Sequence, residues 1–249
     1  MAKLQNSSYI CIMEENGFRF KQFEVSHSRS SMKVGVDAVL LGSWVSCVKP
    51  EHVLDVGTGC GVISLMLAQR FSEAKIDAID IHGDSVEEAK LNFRNSPWSD
   101  RLRAYKKEFP ADLIKGKEKY DLIISNPPFF SSGIINPFTP REIARHQSRL
   151  SASSLLEYSP FILKESGVLA IIIPLEHKDK VLQQSESYGL NLEKECIIKN
   201  NPAKQPKRIM IQLVKTPVEN PLTENLILFE NGVPTPDYRA LCREFYLKF

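Results

Sequence analysis

The sequence predicts an α/β protein in which a mostly parallel sheet carries helices on both faces. Three observations lead there. Between residues 51 and 174, short runs of Val, Ile, Leu and Ala alternate with longer stretches at helical spacing. The short runs are apolar throughout rather than at every second position, which marks strands covered on both sides. The late pair 191–199 and 208–214 is joined by Asn200-Asn-Pro-Ala-Lys-Gln-Pro-Lys207, too short for a helical crossover, so an antiparallel hairpin is expected there.

The elements follow in order. The first 30 residues read as an aromatic, charged hairpin. Within them Phe18-Arg-Phe20-Lys-Gln-Phe23-Glu-Val25 alternates apolar and polar residues as a half-buried strand does. Residues 26–33 are polar and read as a loop. Asp37, a good N-cap, precedes the apolar helical stretch Ala38-Val-Leu-Leu-Gly-Ser-Trp44. Strands are expected at 52–56, 75–80, 102–109, 120–125 and 167–174, with helices at 62–71, 84–95 and 150–164. The Pro-punctuated stretch 216–222 leads to a final strand near 225–230 and a helix over 237–249. The whole is read as one domain over 1–249: hairpin and helix in 1–50, a core in 51–215, and the last strand and helix in 216–249.

Composition removes several classes. The 249 residues carry 32 Lys and Arg against 30 Asp and Glu, a net charge of +2, so any basic binding surface must be local. Cys11, Cys47, Cys60, Cys196 and Cys242 are scattered and form no CxxC pair, which argues against a disulfide framework or zinc ribbon. The five His form no HxH or HxxxH pair, so no metal site is expected. The opening MAKLQNSSYI lacks a signal-peptide apolar run, and runs such as 168–174 fall far short of the roughly 18 residues of a membrane span. The expectation is a cytoplasmic protein without membrane contact, with a monomer favoured.

Asp55-Val-Gly57-Thr58-Gly59-Cys-Gly61 lies between a strand and a helix. Glycines there allow a sharp turn and let a ligand lie against bare main chain. The spacing is GxGxG; the third glycine of a dinucleotide GxGxxG is replaced by Val62. An acid on the first strand suits a cationic ligand better than a diphosphate. Asp80 ends the second strand, where a carboxylate can accept both hydroxyls of a ribose. Glu108 ends the third, placed to meet an adenine amino group, and Phe109 follows to face the ring. This ordered set resembles the S-adenosylmethionine-dependent methyltransferases. The resemblance implies a Rossmann-like seven-stranded methyltransferase sheet with S-adenosylmethionine as cofactor. It also implies that 57–61 wrap the methionine and ribose and that Asp80 holds the ribose hydroxyls; Asp37, Asp55, Ile81 and Asn126 join the cofactor set.

Asp121-Leu-Ile-Ile-Ser-Asn126-Pro127-Pro128-Phe129 ends the fourth strand. The prolines stiffen the backbone and, having no N–H, leave nearby carbonyls free. Asn126 adds a side-chain acceptor and Phe129 a flat apolar face. This trio suits methylation of a planar amino nitrogen, whose lone pair is delocalised into its ring. Two acceptors, the Asn126 side-chain oxygen and the Pro127 carbonyl, let that nitrogen pyramidalise, while Phe129 stacks on the base. The motif resembles the (D/N/S)PP(Y/F) signature of amino-group methyltransferases acting on adenine N6, cytosine N4, guanine N2 or a glutamine amide.

The flanks narrow the resemblance. Phe20-Lys-Gln-Phe-Glu-Val25, Met32-Lys-Val-Gly-Val-Asp37-Ala-Val-Leu-Leu-Gly42, Ile143-Ala-Arg145-His146, Pro206-Lys-Arg208 and the ending 237–249 resemble the tRNA1(Val) adenine-N6 methyltransferases. That family implies a tRNA partner, met at the anticodon loop and converted to N6-methyladenosine at position 37. Relatives often carry a second acid where this chain has Ile81-His82. Arg141, Arg145 and Arg149 recur every four residues, and Lys204, Lys207 and Arg208 cluster at the late hairpin; both groups are candidate nucleic-acid contacts. The alternatives are a protein glutamine-N5 or ribosomal RNA amino-group methyltransferase, or a non-catalytic RNA-binding module on the same fold. The protein-glutamine reading expects a separate helical N-terminal domain, whereas residues 1–50 read as a hairpin and one helix, which disfavours it. The binding-module reading expects a damaged motif, and the glycine turn and Asn126-Pro-Pro-Phe129 are both intact.

Overall fold

The computed structural model describes residues 13–14, 17–29, 33–113, 119–128 and 150–249. A small antiparallel sheet comes first, formed by β1 (Met13–Glu14), β2 (Gly17–Arg19) and β3 (Glu24–Ser26). The aromatic stretch expected as one strand is itself the hairpin, turning between β2 and β3, where the Phe20 N–H donates to the Phe23 carbonyl. Phe20 and Phe23 are odd in spacing yet both buried, because the turn brings them to one side, with ring centroids 4.5 Å apart.

The main sheet contains β4 (His52–Val56), β5 (Lys75–Asp80), β6 (Leu102–Lys106), β7 (Tyr120–Ser125), β8 (Leu163–Pro174), β9 (Asn191–Lys199), β10 (Arg208–Val214) and β11 (Leu222–Ile227). Their order is β11-β9-β10-β8-β7-β4-β5-β6. β4 to β8 are mutually parallel, and β10 runs antiparallel between β8 and β9, as the short connection requires. The final strand expected near 225–230 is β11, three residues earlier; it pairs in parallel with β9 at the edge and makes the sheet eight-stranded rather than seven. β8 starts earlier than expected, at Leu163, because the chain passes directly from helix to strand. Gly167 fits there because a Cβ would lie 3.0 Å or less from the Lys164 and Tyr120 carbonyls.

Alternate residues along the strands feed two hydrophobic layers. Val53, Ile76, Leu122, Ala170 and Ile172 face α1 (Val36–Trp44), α2 (Val62–Arg70), α3 (Gly83–Arg94) and α6 (Pro236–Cys242). Leu54, Ile79, Ile123, Leu169 and Ile171 face α4 (Ala152–Ile162) and α5 (Lys178–Ser187). Helix α1 is buried from Ala38 to Trp44, in keeping with its apolar character all round. Gly42 within it lets the Met66 side chain of α2 approach closely. The two-stranded β12 (Phe229–Glu230) and β13 (Val233–Pro234) precede α6. Tyr246, beyond α6, lies 6.0 Å from Phe18 and 6.2 Å from Phe20 between ring centroids, so the hairpin and the final segment share one layer.

Strand order reverses between β4 and β7: the chain goes from β4 to β5 and β6 on one side, then returns to β7 on the other. Such a reversal opens a crevice at the carboxyl ends of the strands, the usual place for a ligand in an open α/β sheet.

Candidate active site

A cleft of about 610 Å³ lies at those strand ends. Residues 57–60 form its floor. Gly57, Gly59 and Gly61 have φ of 74°, 56° and 86°, a left-handed conformation that only glycine adopts without cost. Space excludes side chains as well, since a Cβ on Gly61 would lie 2.5 Å from the Phe93 ring. The turn is pinned by the Gly57 and Thr58 N–H groups, which both donate to the Ile79 carbonyl at 2.9 and 3.0 Å.

Asp55 is fully buried, and its Oδ2 accepts from Thr58 Oγ1 at 2.7 Å and Ser64 Oγ at 2.6 Å. Burial pushes its carboxyl up to about 6, with the two hydroxyl donors opposing the rise. Asp55 is not among the residues lining the cleft. The carboxylate, placed in the cofactor set by the sequence reading, braces the turn from behind through Thr58 and Ser64.

Asp80 does line the cleft. Its Oδ2 accepts from the Gly59 N–H at 3.0 Å and its Oδ1 from the His82 N–H at 2.9 Å. Each oxygen keeps a second acceptor site. The Gly59 N–H, which a pyrophosphate would need, faces a carboxylate instead. Ile81, Glu108 and Phe109 also line the cleft; Phe109 is nearly buried, and the Glu108 N–H donates to Asp112 Oδ2 at 2.8 Å.

Across the cleft stands the end of β7. Ser125 Oγ donates to the Val56 carbonyl at 2.7 Å, tying this end to β4. Asn126 and Pro128 line the cleft, and Pro127 is buried beside them. Asn126 Oδ1 is inaccessible to solvent and accepts no hydrogen bond from the described residues. Phe129, Arg141, Arg145, His146 and Arg149 lie outside the described residues.

Asp37 lines the cleft but does not cap α1. Gly35 is the N-cap and makes no side-chain bond, whereas Asp37 sits in the first turn. Its Oδ2 accepts from Arg208 Nε at 2.6 Å. Burial raises the Asp37 carboxyl and the Arg208 guanidinium opposes that rise. Arg208 thus faces the cleft paired to Asp37, rather than standing free with the exposed Lys204 and Lys207 of the hairpin turn. Sequence reasoning missed Lys33, Asn200, Leu228 and Phe229 on the cleft wall. They come from the N-terminal loop and the sheet edge, and no local spacing marks them. Cys60 in the glycine turn is no nucleophile, because burial pushes its thiol up to about 12. Among the described residues no His, Cys, Asp or Glu group could hold a metal, and no helix is long and apolar enough to cross a membrane.

The methyltransferase small domain matches residues 28–184. A Parabacteroides distasonis protein named tRNA1(Val) (adenine(37)-N6)-methyltransferase is 39% identical over 232 residues, covering 93% of this chain and 98% of the relative. A Trichodesmium erythraeum protein of the same name is 39% identical over 241 residues, covering 95% and 100%. The chain belongs to this methyltransferase family. The fold agrees with the crystal structure of a predicted O-methyltransferase from Agrobacterium tumefaciens, at a TM-score of 0.63, 19% identity, and coverage of 84% and 96%. As a methyltransferase of this fold the protein uses S-adenosylmethionine. The site fits that cofactor on three counts: a bare glycine floor, an acid with spare acceptors in place of a phosphate cradle, and room within the range of small-molecule clefts.

Proposed function

We propose that the protein methylates N6 of adenine 37 in the anticodon loop of a tRNA, tRNA1(Val) being the substrate named for its relatives. The observation that carries the chemistry is the buried Oδ1 of Asn126 at the cleft wall, which accepts no hydrogen bond from the described residues. A buried acceptor without a donor costs about 1–3 kcal/mol, which is repaid when a substrate N–H fills it. An exocyclic amino group supplies two such hydrogens: Asn126 Oδ1 takes one and the Pro127 carbonyl the other. Both bonds strengthen as the nitrogen leaves the ring plane, so they favour the transition state over the bound base. Phe129 stacks on the base and holds it in line. S-adenosylmethionine, when bound, supplies an electrophilic methyl on a sulfonium sulfur. The nitrogen becomes acidic only after attack, so no strong base is needed and its proton passes to solvent.

The remaining roles divide along the cleft. Asp80 accepts the cofactor's ribose hydroxyls with its two free acceptor sites, Glu108 takes the adenine amino group, and Ile81 and Phe109 cover the adenine ring. Gly57, Thr58, Gly59 and Gly61 carry the methionine end, with Asp37 beside it. Lys204 and Lys207, with Arg141 and Arg145, meet RNA phosphates. An anticodon-loop base is already unpaired, which lowers the few kcal/mol needed to extract it.

The test combines purified protein, S-adenosylmethionine and tRNA from cells lacking this gene. Nucleoside mass spectrometry should find one new N6-methyladenosine at position 37, and free adenosine should not react. Label appearing in protein or ribosomal RNA, with tRNA unmodified, overturns the substrate assignment.

A further inference from the structure

The buried face of α3 holds two segments, the glycine turn, which lines the cleft, and residues 24–29, which do not. Asn92 is 3% exposed. Its Nδ2 donates to the Cys60 carbonyl at 2.8 Å, inside the glycine turn, and to the Ser26 carbonyl at 2.8 Å. Its Oδ1 accepts from the Ser26 N–H at 2.9 Å. Both N–H donors of the carboxamide are used and its oxygen accepts one bond, and the pair of bonds to Ser26 extends the end of β3 as a neighbouring strand residue would. One turn earlier, Glu88 Oε1 accepts from the Arg29 N–H at 2.9 Å, Ser28 Oγ at 3.2 Å and Ser26 Oγ at 3.3 Å. Phe93, next to Asn92, is the side chain packed against Gly61.

The segment 24–29 does not line the cleft, whose wall includes, among the described residues that follow, Lys33, Gly35, Val36, Asp37 and Ala38. One side chain therefore joins the floor of the cleft to the strand from which the chain continues toward its wall. We infer that Asn92 is a positioning residue that couples the cofactor turn to the N-terminal segment, so that filling the cleft also fixes residues 24–29. The inference rests on the cofactor assignment above. Coupling of this kind is reciprocal: fixing the segment strengthens cofactor binding by the factor with which the cofactor fixes the segment.

The probe is S-adenosylhomocysteine, which binds without reacting, and the readouts are calorimetric affinity and amide hydrogen exchange on the full chain. In the wild type the ligand should slow exchange at 57–61 and also at 24–29. Asn92→Asp keeps the size and one acceptor but loses both donations. It should weaken binding about fivefold or more. At saturating ligand it should retain protection at 57–61 and lose it at 24–29. Glu88→Ala should speed exchange at 26–29 in both states while 57–61 stays protected. A merely structural Asn92 would lower the melting temperature without altering where the ligand's protection spreads. The inference is overturned if Asn92→Asp binds within twofold of wild type and still protects 24–29. It is equally overturned, without any variant, if ligand slows exchange at 57–61 alone in the wild type. Failure of the wild type to bind S-adenosylhomocysteine is the separate result that removes the cofactor assignment itself.

Discussion

The carboxyl ends of β5 and β7 flank β4 and face the same cleft, yet they treat their polar side chains in opposite ways. At β5 both oxygens of Asp80 already receive backbone N–H groups, from Gly59 and His82. At β7 the side-chain oxygen of Asn126 is buried and receives none from the described residues. The first arrangement fixes a carboxylate before any ligand arrives, which is what binding needs. The second leaves an acceptor open to a donor on a ligand, which is what a reacting amino group provides. The protein thus spends its hydrogen bonds on rigidity at one wall and withholds one at the other.

The sharpest way to break that contrast is Asn126→Ala. It removes an acceptor whose worth grows toward the transition state, so turnover should fall roughly 10²-fold or more, as when an active-site hydrogen-bonding group is deleted. Affinity for S-adenosylhomocysteine should change less than twofold. If turnover survives within a few fold, Asn126 is not the acceptor. Asp80→Ala attacks the other wall and should show the reverse pattern. Two charge-assisted bonds are lost, so calorimetric affinity should weaken at least about tenfold, with circular dichroism unchanged. An unchanged affinity removes Asp80 from the ribose site.

The smallest effect comes from Asp55 behind the turn. Its carboxyl stands at about 6 in the folded chain against an ordinary 3.8, through burial. Folding therefore takes up a proton between those values, and the stability this group contributes falls as pH rises from about 4 to 6. Asp55→Asn carries no such proton. The melting temperature of wild type relative to this variant should decline across that window and stay level above it. A flat difference from pH 4 to 7 would mean that Asp55 ionises normally.

Much of this wall-to-wall contrast is legible in the sequence, because the residues that make it are local. The GxGxG turn, the strand-ending Asp80 and Asn126-Pro127-Pro128 each declare themselves within a few positions. So do β5, β7, β9 and β10, whose apolar runs stop where the strands stop. What escaped depends on distant partners. Helix α5 went unread because only Val181 and Ser185 are buried, too few to make an apolar stripe. The start of strand β11 at Leu222 escaped, because its first residues are exposed and only the edge of β9 turns them into sheet. Asp37 reads as a helix cap because Arg208, its actual partner, lies far along the chain. Asn92 looks like one more polar residue on a polar helix until Ser26 and Cys60 are brought to it.

The late arrival of the edge strands also sets an order of events during synthesis. A nascent chain that has emerged as far as Lys199 already contains the glycine turn, Asp80 and Asn126. It still lacks Arg208, the partner that holds Asp37, and Leu228 and Phe229, which complete the cleft wall. The aromatic face of Phe18 and Phe20 waits longer still, for Tyr246 to cover it. Until then the ribosome carries a half-built cleft with oily rings in water, a state prone to sticking and open to chaperones. The cleft wall is complete only once Phe229 has been made, and the aromatic layer only once Tyr246 has.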